Sequence, residues 1–333
     1  MNRISIAMIL FVFCGCGPEG ERTTTSPNEL GACAPYDAQI NPSETHVPGK
    51  PAPGTYATFS PDDEHVVKRP PLDGCPGAPK HHSLVVFLPG AHDVPVHYPN
   101  FLEHARSRGF HVIGLGYLSD VSLKDTCEND PACPGKYRDE LTFGRPALPE
   151  GLGPDIEDHP EDSIDERLKA VLHHLTMVDP DGKWWQFLEF GKKHGHGFQP
   201  RYRKIVFAGH SLGTGFAAYY ARHKNVRRML MLGGPLEMPP FEGTADWYFE
   251  PFRTKGFKLW GLVHVNNNKG DPESEEVRID NLNQVKRNWR LAGVPRRHRQ
   301  VVDGDELCGM GAHYAVANCE VYEERWTRML GSP

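Results

Sequence analysis

The chain has 333 residues, 38% of them apolar and 24% charged, which is enough apolar surface for one large buried core and too little charge to keep the chain unfolded. With 43 acidic against 37 basic residues the formal net charge is -6, so no broad positive field draws a polyanion. The basic clusters Arg227-Arg228 and Arg296-Arg297-His298-Arg299 are short and read as solvated surface, and nucleic acid is not expected as a partner.

At the N-terminus Arg3 precedes an apolar run over residues 4–13 that is too short to span a bilayer and fits a signal peptide, here assigned to residues 1–16. The following Phe13-Cys14-Gly15-Cys16 resembles the lipobox of bacterial lipoproteins. That resemblance implies acylation of Cys16 and attachment to the cell envelope, in the periplasm or at the outer membrane; cleavage and secretion is the alternative. Export also accounts for the remaining cysteines. Cys33, Cys75, Cys127, Cys133, Cys308 and Cys319 are an even set, expected to form up to three disulfides in an oxidising compartment, with pairing open and Cys127/Cys133 and Cys308/Cys319 the nearest neighbours. No C-x-x-C pair is present, so a metal site is not expected.

Residues 17–77 are rich in Pro, Gly, Thr and charge and read as a tether followed by an irregular segment. From there to residue 333 the texture is that of one α/β domain: a mostly parallel central sheet with helices on both faces and a cap or loop insertion. Strands are expected at 83–88, 111–117, 204–208, 227–232, 258–265 and 298–302, most of them continuous apolar runs suited to a sheet covered on both sides. Between the second and the third lies a stretch with Cys127, Cys133 and many Pro and Gly residues, too long for an ordinary connection, which is read as a cap or substrate-side loop. A helix is expected over 163–177, where Ser163 and Glu166 form a capping box and Ile164, Leu168, Val171, Leu172 and Leu175 line one face; His173 and His174 on it read as solvent or interface histidines. Further helices are expected at 281–292 and 320–330, and Lys193-His194-Gly195-His196-Gly197 reads as a polar loop.

The segment Lys204–Gly215 runs from an apolar strand into Gly209-His210-Ser211-Leu212-Gly213 and on into the small-residue helix Phe216-Ala217-Ala218-Tyr219-Tyr220-Ala221. A serine at the tip of so sharp a turn needs neighbours without side chains, and the following helix N-terminus favours developing negative charge. In this order of strand, G-x-S-x-G and helix the chain resembles the α/β-hydrolase superfamily, over roughly residues 83–333. The resemblance implies that Ser211 is the nucleophile of a serine hydrolase, commonest among esterases and lipases, needing no cofactor and acting on a small-molecule or lipid-like ester.

Leu84-Val85-Val86-Phe87-Leu88-Pro89-Gly90-Ala91-His92 resembles the strand and loop supplying the first oxyanion donor, with Pro89-Gly90 where His-Gly is common; the donors are then the backbone N–H groups of Ala91 and Leu212. His92 and Asp93 are read as shaping the pocket. Superfamily order places the acid and then the histidine after the serine. His313 lies 11 residues past the expected last strand, in a glycine-containing loop bracketed by Cys308 and Cys319, and is the implied general base. The acid is expected after strand 258–265, where Asn266, Asn267 and Asn268 stand and Asp271 is the first carboxylate; Glu237 is the alternative and Asp246 a more distant choice. A second reading of the whole chain is a non-catalytic envelope lipoprotein that binds a ligand or partner on a hydrolase scaffold.

Overall fold

The computed structural model describes residues 33–333 apart from 46, 48, 54–63, 80–81, 121–122, 150–158, 191–196, 238–242 and 268–274. The expected signal peptide and Cys16 therefore lie outside the described residues, as do Asp271 and most of the loop at 193–197. Ten strands are described: β1 Tyr36–Ile40, β2 His65–Arg69, β3 Leu84–Leu88, β4 His111–Gly114, β5 Leu188–Phe190, β6 Phe198–Pro200, β7 Ile205–His210, β8 Arg228–Leu232, β9 Leu259–His264 and β10 Arg299–Val302. The eight-stranded sheet has the order β1-β2-β4-β3-β7-β8-β9-β10, and β5-β6 form a separate antiparallel pair. Every pairing from β4 to β10 is parallel; β2 alone runs against its neighbours β1 and β4.

Strands with covered faces split alternate residues between two cores, because successive side chains point to opposite faces. Leu84, Val86 and Leu88 of β3 and Ile205 and Phe207 of β7 pack with α3 (Cys133–Phe143), α4 (Ile164–Val178), α5 (Leu212–His223) and α6 (Glu275–Leu291). Val85 and Phe87, with Val206 and Ala208, face α1 (Pro99–Ser107), α7 (Ala312–Asn318) and α8 (Glu323–Leu330). The short helix α2 (Leu123–Cys127) leads into α3. β3 sits between β4 and β7, the two strands that the chain reaches in opposite directions, which makes the carboxyl ends of β3 and β7 the switch point of the sheet, where open α/β sheets bind their ligands.

The segment 17–77 departs from expectation. Its described part holds β1 and β2, which extend the sheet, and Cys33 is bonded to Cys75. Each strand is only five residues long between turn-rich stretches, too short to stand out in the sequence. The other disulfides join Cys127 to Cys133 and Cys308 to Cys319. β4 stops at Gly114, short of the expected residue 117; past it the Gly116 N–H is accepted by the His65 side chain, at Nδ1, and not by a strand carbonyl. Ser163 caps α4 by accepting the Glu166 N–H, as the capping box predicts. α1 and α3 were not foreseen: α3 buries Arg138 and Glu140 and carries Pro134 and Gly135, which hides its apolar face.

His111, at the start of β4, is enclosed by the rings of Trp184 and Phe187, and burial pushes its pKa down to about 3 despite the bond from Nε2 to the Gly182 carbonyl. The unfolded chain takes up this proton near 6.5 and the folded chain does not, so stability present above that pH falls as the pH drops towards 3. Urea unfolding at neutral and mildly acidic pH should show that loss, and His111→Gln should make it shallower; identical losses in both proteins would exclude His111 as a contributor.

Candidate functional site

The turn between β7 and α5 places Ser211 at φ 50°, ψ -116°, a region that L-residues avoid. It is held there by close packing that only glycine permits. A Cβ on Gly209 would come within 2.2 Å of the Gly213 carbonyl oxygen, and one on Gly213 within 2.1 Å of the Leu88 oxygen. The backbone N–H of Ser211 donates to Leu232 O at 3.1 Å, fixing the turn to the end of β8. Ser211 is half-buried and immediately precedes α5, so the N-terminus of that helix lies next to it.

The loop after β3 lies against this turn. A Cβ on Gly90 would be 3.3 Å from the Ser211 Cβ and 3.3 Å from His210 Nδ1. Tyr117 donates to Pro89 O at 2.7 Å, and His92, at φ 55°, donates its N–H to Ser119 O, so both sides of Ala91 are tied down. Ala91 and Leu212, the two expected oxyanion donors, thus belong to segments in contact with each other, and Leu212 opens α5.

His313 lies in the first turn of α7, a helix and not the loop expected there, and is 9% exposed. Its carbonyl oxygen accepts from His210 Nε2 at 2.8 Å, and the two imidazole centroids are 4.6 Å apart. The residue next to the candidate nucleophile therefore grips the backbone of the candidate base. His313 Nδ1 lies 2.8 Å from Asn267 Oδ1. The orientation of that amide is set from its other side, where Asn267 Nδ2 donates to Gly233 O at 3.2 Å. Oδ1 must then accept, so His313 Nδ1 carries the proton and Nε2 is left with a lone pair, the tautomer a general base requires.

Asn267 is the residue that sequence reasoning passed over. It stands at the expected place just past β9, where the superfamily order calls for a carboxylate and the sequence offers an amide. The alternative acid Glu237 does not reach His313. It is buried against Arg138, with guanidinium contacts at 2.9 and 3.3 Å, and its own N–H is taken by Gln284 Oε1. Arg138 also donates to Leu212 O at 3.1 Å, and a Cβ on Gly215 would strike both members of the pair. Glu237 is thus the partner of a cap-side arginine, a role the sequence could not disclose because Arg138 lies 99 residues away. Asp246 is exposed, with its N–H on Pro131 O. His173 and His174, half-buried on α4, and the exposed His92 are not part of this cluster.

No protein-family model matches the chain, and no curated protein matches it. Among solved structures it is similar to a Klebsiella pneumoniae protein whose name assigns it to the dienelactone hydrolases. The identity is 13% and the TM-score 0.42, over 89% of this chain and 97% of that one. The architecture described above stands on its own strand order and not on that likeness.

Because both members of the Arg138–Glu237 pair are at most 1% exposed, removing one leaves the other as an uncompensated buried charge. Glu237→Ala should cost about 3–5 kcal/mol in urea unfolding, and Arg138→Met added to it should recover much of that loss. A catalytic acid would behave otherwise, with activity lost and stability kept.

Proposed function

We propose that this chain is a serine hydrolase of the α/β-hydrolase type that cleaves carboxylic esters through an acyl-enzyme on Ser211. The observation that carries the reading is the strained turn at Ser211, φ 50°, with His313 bound to the preceding residue and oriented by Asn267. Strain of this kind persists where a function requires it, because nothing in a plain strand-to-helix connection calls for a positive φ at a serine.

In the proposed cycle Ser211 Oγ attacks the ester carbonyl while His313 Nε2 takes its proton. The N–H groups of Ala91 and Leu212 receive the oxyanion, His313 returns the proton to the leaving alcohol, and water then releases the acyl group by the same steps. Asn267 is the third member. A neutral amide in this place holds the tautomer without adding a negative charge beside the imidazolium, as the Asn of Cys-His-Asn sites does. The substrate class follows from the resemblance of the motif to esterases and lipases.

The three disulfides support export into an oxidising compartment. With the leader over residues 1–16, this supports an envelope protein attached to the membrane through acylated Cys16. Metabolic incorporation of a labelled fatty acid that disappears in Cys16→Ser is the expected result, and an unlabelled wild type means cleavage and release.

A fluorophosphonate probe reports an activated serine without knowledge of substrate. Labelling should appear in the wild type and vanish in Ser211→Ala; a folded wild type that stays unlabelled favours the non-catalytic binding protein. Against p-nitrophenyl esters of graded chain length, Asn267→Ala should lower kcat by roughly 10²–10⁴, the range for losing the group that orients the base. Asn267→Asp should retain activity, and an inactive Asp variant with an active Ala variant would remove Asn267 from the mechanism.

A further inference from the structure

Beneath Ser211 and His313 runs a buried polar chain that the proposed cycle does not use. Tyr98, the residue that opens α1, is fully buried. Its hydroxyl stands 2.6 Å from Asp93 Oδ2 and 2.9 Å from His210 Nδ1, and it accepts the Gly90 N–H at 3.2 Å. His210, 3% exposed, continues the chain through Nε2 to the carbonyl oxygen of His313 at 2.8 Å. One phenolic oxygen thus joins the oxyanion loop, the nucleophile turn and the base.

The protons in this chain can be counted. A carbonyl oxygen only accepts, so His210 Nε2 must donate to His313 O. The phenol has one hydrogen and two acceptor positions, one of which takes the Gly90 N–H. Given to His210 Nδ1, that hydrogen would leave two oxygens facing each other across 2.6 Å at Asp93 with no proton between them. Given to Asp93, it requires His210 Nδ1 to donate as well. Four contacts need four hydrogens; with His210 neutral and Asp93 ionised, the Gly90 N–H, the phenol and one imidazole N–H supply three. An imidazole is the more basic of the two groups, so the fourth belongs on His210.

We propose that Asp93, Tyr98 and His210 are positioning residues for the Ser211–His313 pair, with His210 held as an imidazolium at neutral pH and balanced by Asp93 through the Tyr98 hydroxyl. Their role in turnover rests on the hydrolase reading; the protonation state does not. The titratable groups against the His210 ring include Tyr98 and Tyr314, from the α1 and α7 sides, and His313 itself. Asp93 and His97 stand one bond further out, with His97 Nδ1 2.6 Å from Asp93 Oδ1 and the Tyr314 hydroxyl on His97 O at 2.7 Å. Burial, and next the charge of Asp93, push both phenols above the usual range, so they remain donors. When alkali removes the fourth proton, one contact is left with facing lone pairs, and Gly90 and His313 loosen together.

The test uses the full chain labelled with ¹⁵N-histidine, the His210 signals being assigned by their loss in His210→Asn. Near neutral pH both ring nitrogens of His210 should be protonated in the wild type and equally in Ser211→Ala. Tyr98→Phe should return His210 to the singly protonated form. It should also slow fluorophosphonate labelling of Ser211 by roughly tenfold to a hundredfold, the scale of small misplacements, and abolish the alkaline fall in the labelling rate. Asp93→Asn serves as the second variant should Tyr98→Phe fail to fold, with the same expected loss of the imidazolium. A folded wild type with a neutral His210 overturns the proposal, and so does a variant that is slower with an unchanged pH profile. An imidazolium at His210 in a protein that never labels leaves the proton count standing and sinks the hydrolase reading.

Discussion

The backbone of Ser211 is the constraint on which the rest of this structure depends. A positive φ at a residue with a side chain is worth of order 1–3 kcal/mol of strain, which must be overcome by the surroundings. The surroundings are closely packed. β7 lies inside the sheet between β3 and β8, all six of its residues are buried, and two glycines let the end of β3 and the first turn of α5 close on it. The helix that starts at this turn places its first amides directly after Ser211, so strain and electrostatics meet at one point.

That turn also fixes what lies above it. Arg138 reaches from α3 to the Leu212 carbonyl, pairs with Glu237 after β8 and stacks over Phe216 at 4.1 Å. A buried ion pair is a poor source of net stability, because desolvation offsets most of the attraction. Its effect is directional: the inserted segment can dock on α5 only where the guanidinium finds the carbonyl, the carboxylate and the ring together. The Cys127–Cys133 bond closes the turn that leads into α3, so the insertion is stiffened at its entry and anchored at its centre. Gly215 is required here for a reason unrelated to the elbow, since any side chain there would occupy the place of the ion pair.

Much of this was legible in the sequence, and the part that was not has a common cause. Continuous apolar runs marked β3, β7, β8 and β9 to within two residues, because strands covered on both faces leave no polar positions to confuse the reading. G-x-S-x-G marked the elbow through steric demands that are local to it. β1 and β2 escaped because two five-residue strands among prolines and glycines carry little pattern. α3 escaped because its inward face is partly polar, and the partners that satisfy Arg138 come from distant segments. Asn267 escaped for a chemical reason. Position pointed at it, but a search for a carboxylate discards an amide, although the geometry around His313 needs an acceptor and not a charge.

The placement of His313 shows how little of a site's precision has to come from its own helix. α7 is seven residues long and has no side-chain cap, so by itself it would fray. It is restrained instead from three directions: Asn267 from the end of β9 holds the ring, His210 from the end of β7 holds the carbonyl, and the Cys308–Cys319 bond closes the 11-residue span around it. In the chain-entropy account a loop of that size removes roughly 3 kcal/mol of freedom from the unfolded state. The first two restraints come from strands that share the sheet with Ser211, so any displacement of the sheet's carboxyl edge carries serine and histidine together. The third comes from the chain segment itself and limits how far α7 can drift when either hydrogen bond opens. A helix held in this way keeps its register with the turn at Ser211 even though 102 residues separate His313 from Ser211.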